Sequence, residues 1–283
     1  MHWFRKAQHL GAVALFLLCG CRSPAPDPPV GEPPALRSSS PTVATSADKK
    51  LEREYRRRLS AEEQAMRQLQ ASGLQCNVKP LSTGELAEWS EQNGRARLDV
   101  VVAVSDTRFK AHDDDLAPLV GLSELRYLCL NGTKVTDKGL SYVAGLKKLR
   151  TLYLGDTRVT DAGLTHIGGL SELRELWLRG TLVSDVGMAD VATLTGLDSL
   201  LLDRTSLTDA GLAHLKSLKS LRSLGLSGTR VTDAGLVHLT ALTNLQFVNL
   251  YDTGVTDTGI ATLRQWLPKL KINLEPPART HCP

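Results

Sequence analysis

A fixed 24-residue step decides what this chain can fold into. Leu140, Leu164, Met188, Leu212, Leu236 and Ile260 follow one another at that interval. Gly139, Gly163, Gly187, Gly211, Gly235 and Gly259 keep the same step, and so do Thr133, Thr157, Thr181, Thr205, Thr229 and Thr253. The full motif T-x-V-T-D-x-G-L is first complete at Thr133–Leu140. A period of this length marks a solenoid, in which each repeat contacts only its neighbours. The usual conversion of 283 residues into one or two globular domains therefore does not apply.

Each copy contains L-x-x-L-x-L, as in Leu149–Leu154. The alternation at its end predicts a short strand with leucines pointing inward. Copies one repeat apart then stack about 4.8 Å apart as a parallel sheet. The threonine after the strand has a hydroxyl that can satisfy backbone groups of the turn. Thr136-Asp137, Thr160-Asp161, Ser184-Asp185, Thr208-Asp209, Thr232-Asp233 and Thr256-Asp257 read as helix N-caps, the carboxylates favouring the positive helix end. The pattern that follows predicts a helix of two to three turns. In the first copy it packs Leu140, Val143 and Leu146 onto the sheet.

Strand leucines followed by T-D-x-G-L resemble leucine-rich repeats of the ribonuclease-inhibitor-like and cysteine-containing type. Threonine replaces the usual asparagine or cysteine after the strand. This version is similar to repeats of exported proteins of some environmental bacteria. The resemblance covers roughly Leu98–Leu274. It implies an α/β fold, a right-handed leucine-rich repeat solenoid with a curved parallel sheet on the concave face and short helices on the convex face. For function it implies a protein-interaction scaffold. Some eukaryotic relatives are ubiquitin-ligase adaptors, but no adaptor-docking domain precedes these repeats and the leader argues against that role.

The ends depart from the pattern, as terminal repeats must. Residues 48–112 read as an N-terminal helix and cap. The helix spans Lys49–Ala71 and closes at Gly73, and strands follow at Gln75–Lys79 and Leu98–Ser105. Val102–Phe109 matches Leu128–Val135 at a step of 26, implying a two-residue insertion before Asp113. Trp89 is expected to cover the first layer. The regular repeats occupy 113–274, and a tail of 275–283 begins with Glu275-Pro276-Pro277. Trp266 stands where other copies have leucine and is expected to cap the last layer.

Residues 1–20 read as an export leader. Arg5 and Lys6 precede the nine-residue apolar run Leu10–Leu18, which is too short to span a bilayer. Leu18-Cys19-Gly20-Cys21 resembles the lipobox of bacterial lipoproteins, whose leader is cut before a cysteine that becomes diacylated. That resemblance places the lipid on Cys21, with Cys19 a poorer candidate behind bulky Leu18. Two or more acyl chains give stable anchoring. Residues 21–47 are rich in Pro and Ser and read as a disordered tether, extended at about 3.1 Å per residue where polyproline II persists. The expected location is a membrane surface outside the cytoplasm.

The net charge of +4 lies before the repeats: from Ser72 onward there are 23 basic and 23 acidic residues. A neutral solenoid lacks the basic excess that nucleic-acid binding requires. The Arg56-Arg57-Arg58 run is balanced by Glu52, Glu54, Glu62 and Glu63. No G-x-S-x-G, H-E-x-x-H or phosphate loop occurs, so no enzyme and no cofactor is expected. His166, His214 and His238 share a helix position, but neighbouring helices lie about 8–10 Å apart, too far for one ion to bridge. Asp113-Asp114-Asp115 reads as a helix start rather than a metal site. Cys76, Cys129 and Cys282 leave an odd thiol, and Cys76 and Cys282 are too far apart along the solenoid to pair.

Function is then expected at the x positions of the strands, which vary while the leucines do not. Tyr127, Tyr153, Trp177, Arg179, Asp203, Arg204, Phe247 and Tyr251 line the expected concave face, with Asp156 and Asp252 beside them. Tyr, Trp and Arg are favoured anchors of protein interfaces. A protein partner is the first expectation. A glycan stacking on the aromatics is the second.

Overall fold

The computed structural model describes residues 57, 61, 63–80, 99–105 and 110–276, all within one compact unit spanning Ala44–Cys282. The expectations for the leader, the lipidated Cys21, the tether, Trp89 and Cys282 lie outside the described residues, as does the Pro277–Pro283 part of the tail. The described residues form an α/β leucine-rich repeat solenoid. Its sheet has nine strands in sequential order. They are β1 (Gln75–Pro80), β2 (Asp99–Ser105), β3 (Tyr127–Cys129), β4 (Thr151–Tyr153), β5 (Glu175–Trp177), β6 (Ser199–Leu201), β7 (Ser223–Gly225), β8 (Phe247–Asn249) and β9 (Lys271–Asn273). β1 runs antiparallel to β2, and every later neighbour is parallel.

The pairing corrects the reading of the first copy. Val104 stands opposite Leu128, and Leu128 opposite Leu152, a step of 24 in both cases. The bond from Lys134 N–H to Ala111 O repeats as Arg158 N–H to Val135 O, again 24 residues on. No insertion intervenes before Asp113. Steps of 24 and 26 have the same parity, and strand side chains alternate with period two. Both alignments put apolar residues on the same face, and only hydrogen bonding separates them.

The core is one continuous column. Leu128, Leu152, Leu176, Leu200, Leu224 and Val248 are fully buried at the strand centres. The connections behind the sheet are tighter than expected. Asp137–Leu140 and Asp161–Leu164 are single helical turns, while Asp113–Gly121 and Asp233–Ala241 are 3-10 helices. Leu140, Val143, Leu146 and Leu149 are buried at intervals of three. The bonds Val143 N–H to Leu140 O, Leu146 N–H to Val143 O and Leu149 N–H to Leu146 O hold that spacing. A period of three keeps one face only in a 3-10 winding, because an α-helix would rotate such residues around its surface.

At the N-terminal end, residues 63–71 are helical and contribute Ala65 and Leu69 to the core, with Leu74 following. The helix stops at Gly73, at φ 90°, where Leu74 N–H bonds Leu69 O and Gly73 N–H bonds Gln70 O. That pair of bonds is the left-handed glycine termination of a helix.

Two sets of side chains lock the repeats. The strand-end threonines act within their own copy: Thr133, Thr157, Thr181, Thr205 and Thr229 donate through buried hydroxyls to Leu130, Leu154, Leu178, Leu202 and Leu226 carbonyls at 2.6–2.7 Å. The T-D pairs act between copies. Threonine is the cap: Thr160 Oγ1 accepts from Ala162 N–H. The aspartate, read from sequence as a second cap, instead reaches into the next repeat. Asp137 accepts from Thr160 N–H at 2.8 Å and from Thr160 Oγ1 at 2.6 Å. Asp161 does the same for Ser184, Asp185 for Thr208, Asp209 for Thr232 and Asp233 for Thr256. The series starts at Asp113, which accepts from Thr136 N–H and Oγ1.

The same clamp explains the invariant glycine. A Cβ at Gly139 would lie 2.6 Å from Asp113 Oδ1, and one at Gly187 would lie 2.5 Å from Asp161 Oδ1. Only glycine leaves room for the incoming carboxylate. The acidic triplet divides its work: Asp113 clamps, Asp114 pairs with Lys138 at 2.8 Å, and Asp115 accepts from His112 N–H.

The last copy also differs from expectation. Its helix runs from Asp257 to Trp266, and Leu267 takes the leucine place, with Leu270 N–H bonding Leu267 O as Leu245 N–H bonds Leu242 O. The helix is one residue longer than the alignment assumed. Trp266 is thereby turned outward and is 44% exposed.

Candidate functional site

The sheet face opposite the leucines carries the residues that differ between copies. Strand alternation sends Tyr127 and Cys129 to that face when Leu128 enters the core, and the register repeats the arrangement in every strand. Tyr127, Thr151, Glu175, Ser199, Ser223 and Phe247 form one file, and Cys129, Tyr153, Trp177, Leu201, Gly225 and Asn249 form the next.

Three aromatics predicted as neighbours do come together. Tyr127 and Tyr153 meet edge to face with ring centroids 5.4 Å apart. Tyr153 and Trp177 are stacked, with centroids 3.7 Å apart and planes inclined by 18°. Their exposure differs from the expected row of surface rings. Tyr153 is only 4% exposed, whereas Trp177 is half-buried. Tyr153 donates its hydroxyl proton to Glu175 Oε2 at 2.7 Å, which fixes its ring from the far end. Burial, reinforced by that bond, pushes its phenol well above the ordinary tyrosine value. Tyr127 is pushed up to about 12 by burial and by the Glu175 carboxylate. Among the described residues its buried hydroxyl has no hydrogen-bond partner.

Phe247 and Tyr251 lie further along, 37% and 38% exposed. They belong to β8 and the turn after it, three strand steps beyond Trp177. At about 4.8 Å per step the separation is roughly 14 Å.

The rim of the face is built by the residues after each strand. Asp203 is 3% exposed, and its Oδ1 accepts from Ser227 N–H at 3.0 Å. Asn131 plays the same part for Gly155 N–H at 2.6 Å. Burial raises the Asp203 carboxyl above its ordinary value, while Ser227 N–H, Arg179 and Arg204 pull it back down. Gly225 is small because a Cβ there would run into Asp203.

Sequence reasoning missed the backbone of the next column. Gly132, Gly180 and Gly228 have φ of 66–70°, and Asp156, Arg204 and Asp252, in the alternate copies, have φ of 53–56°. Every repeat thus makes a left-handed turn at this point, and three of them do so with a side chain attached. Such a residue carries strain of about 1–3 kcal/mol. The glycines at every second copy were the available signal, at a 48-residue spacing hidden under the 24-residue step.

Cys129 is fully buried and disulfide-bonded. Among the described residues no three His, Cys, Asp or Glu side chains gather into a metal-binding group. No helix of the described residues is long and apolar enough to cross a membrane.

No protein-family model matches the chain. No curated protein matches it. Among solved structures it is similar to an internalin of Listeria monocytogenes, at 26% identity over 57% of this chain and 44% of that one, with a TM-score of 0.47. Internalin C2 of the same organism gives 23% identity over 66% of this chain and 90% of its own, TM-score 0.47. A leucine-rich repeat protein of Leptospira interrogans gives 20% identity over 56% of this chain and 45% of its own, TM-score 0.42. The chain thus spans less than half the length of the first and third of these proteins.

Proposed function

We propose that this chain is a non-enzymatic protein-interaction scaffold, held at a membrane outside the cytoplasm by a lipid on Cys21, which binds a protein partner on the outer face of its sheet. The observation that carries the reading is the Tyr153–Trp177 stack. The lower ring is buried and fixed by Glu175, so the half-exposed indole is held in place before any partner arrives. Preorganised aromatic anchors lose little conformational freedom on binding. Arg179, Arg204, Phe247 and Tyr251 supply the remaining contacts, and Tyr127, Tyr153 and Asp203 support them from beneath.

A quantitative pull-down from the membrane and surface fraction tests this, comparing the parent chain with Trp177→Ala and with the exposed control Arg230→Ala. A partner captured by parent and control and lost from Trp177→Ala supports the reading. Equal capture by all three chains sinks it. A second reading, a glycan-binding module, also draws on the Trp177 platform, because sugar rings stack on such surfaces. Retention on cell-wall material that is lost in Trp177→Ala, with no protein captured, favours that alternative. The anchor has its own test: Cys21→Ser should release the chain from membranes, and mass spectrometry of the mature chain should find an acylated Cys21.

A further inference from the structure

The two ends of the sheet are finished differently. At the N-terminal end the antiparallel strand β1 covers β2. At the other end, among the described residues, β9 pairs only with β8. Lys271 N–H bonds Gln246 O, and Asn273 O accepts from Leu250 N–H, so residues 271 and 273 turn their polar groups toward β8. The alternating residue Ile272 turns its groups away from it, and Leu274, the next residue of that parity, lies just past the end of β9. Among the described residues those N–H and C=O groups have no hydrogen-bond partner.

The sequence of this edge is complementary to itself. If two copies of β9 meet antiparallel about a two-fold axis at Asn273, Ile272 of each copy stands opposite Leu274 of the other. Lys271 then stands opposite Glu275. The Ile272–Leu274 pairs use the outward-pointing groups and form four hydrogen bonds, while the two Asn273 residues form the non-hydrogen-bonded pair at the axis. Leu274 is 44% exposed and Ile272 half-buried, so apolar surface meets apolar surface. Lys271 and Glu275 are both exposed and of opposite charge. Opposed apolar pairs and opposed charges are the side-chain arrangements that favour strand pairing. Asn273 Nδ2 donates to Glu275 O at 2.9 Å and Asn273 Oδ1 accepts from Glu275 N–H, which holds residues 273–275 in place. Pro276 has no N–H and ends the ladder after Leu274. The pairing is therefore closed, with no edge left for a third copy.

We propose that β9 is the two-fold contact of a dimer of this chain, which joins two nine-stranded sheets edge to edge. This stands apart from the partner-binding reading and survives its failure. Sedimentation velocity on the purified full chain is the test. The parent should dimerise, and Lys271→Glu or Glu275→Lys, each placing two like-charge pairs at the contact, should weaken the dimer roughly tenfold. The double variant Lys271→Glu/Glu275→Lys should restore it. In parallel, Asn273→Cys should form an intermolecular disulfide, because residues opposed at the axis have Cα atoms about 4.5 Å apart. Lys271→Cys should not. A chain monomeric at every concentration overturns the proposal. So does a dimer indifferent to both single reversals, a double variant as weak as the singles, or cross-linking at 271 rather than 273.

Discussion

Asp161 Oδ1 lies 2.5 Å from the point a Cβ on Gly187 would occupy, while the same carboxylate holds the N–H and hydroxyl of Ser184. The glycine that recurs every 24 residues is thus a socket for an aspartate one repeat away.

Gly187→Ala should therefore destabilise the solenoid by about 1–3 kcal/mol, the usual cost of forcing a methyl group into filled space. Leu164 Cδ1, 2.7 Å from the same point, closes the other side. Gly145 has nothing within 4 Å of its Cβ position, so Gly145→Ala should leave the chain as stable as the parent or slightly more so. Chemical denaturation of the two variants side by side is the measurement; equal losses would contradict the socket.

The carboxylate itself can be tested by position. Asp161→Ala removes the acceptor of two hydrogen bonds, one from backbone, and should cost about 1–3 kcal/mol. Asp257 occupies the same place in the last copy but is exposed, with no threonine of a further described repeat to hold. Asp257→Ala should stay within about 0.5 kcal/mol of the parent. Thermal melts of both variants decide the matter.

The Asp233 clamp and Tyr127 respond to opposite ends of the pH scale. Thr256, through hydroxyl and N–H, holds the Asp233 carboxyl below its ordinary 3.8. A depressed folded value gives a contribution that is complete above 3.8 and disappears as the pH falls through the lower folded value. Tyr127 has the reverse sign. Its folded value of about 12 lies above the ordinary 10.0, so its contribution is intact below pH 10 and lost as the pH rises through about 12. Tyr127→Phe should abolish the phenolate absorbance step near 12 and flatten the stability profile between those values. A step that persists in the variant would assign it to another tyrosine.

Arg204 combines strain with exposure. It holds φ 56° where Gly180 and Gly228 occupy the equivalent turns of the adjacent copies. Arg204→Gly should raise stability by about 1 kcal/mol by removing the left-handed strain. If the sheet face binds a partner, the same change should weaken capture. A variant that is both more stable and equally able to bind would show that the arginine has no part in recognition.

The architecture was legible because a solenoid writes its period into the sequence many times over. The leucines at strand centres and the threonines at their ends behave as the pattern requires. What escaped sequence reading depended on distances between copies. The Asp137–Thr160 bond joins residues 23 apart, so no local rule for caps could reveal it. The position of Val104 escaped because parity cannot separate two alignments that differ by two residues. Leucines every third residue suggest an α-helical face from sequence alone, whereas in the folded chain that spacing belongs to 3-10 turns. The aromatic neighbours Tyr127, Tyr153 and Trp177 were legible from the 24-residue step. The depth of Tyr153 was not, because it depends on what lies over the ring.

The aspartate of each repeat reaches forward, and the threonine and glycine that receive it face backward. Every junction is consequently the same plug entering the same socket, and the chain has translational symmetry without a preferred centre. Duplicating or excising a pair of 24-residue units in the middle would leave only junctions of the existing kind, because the left-handed turn alternates between glycine and a larger residue from copy to copy. The number of rungs in such a ladder is set by the gene and not by the packing.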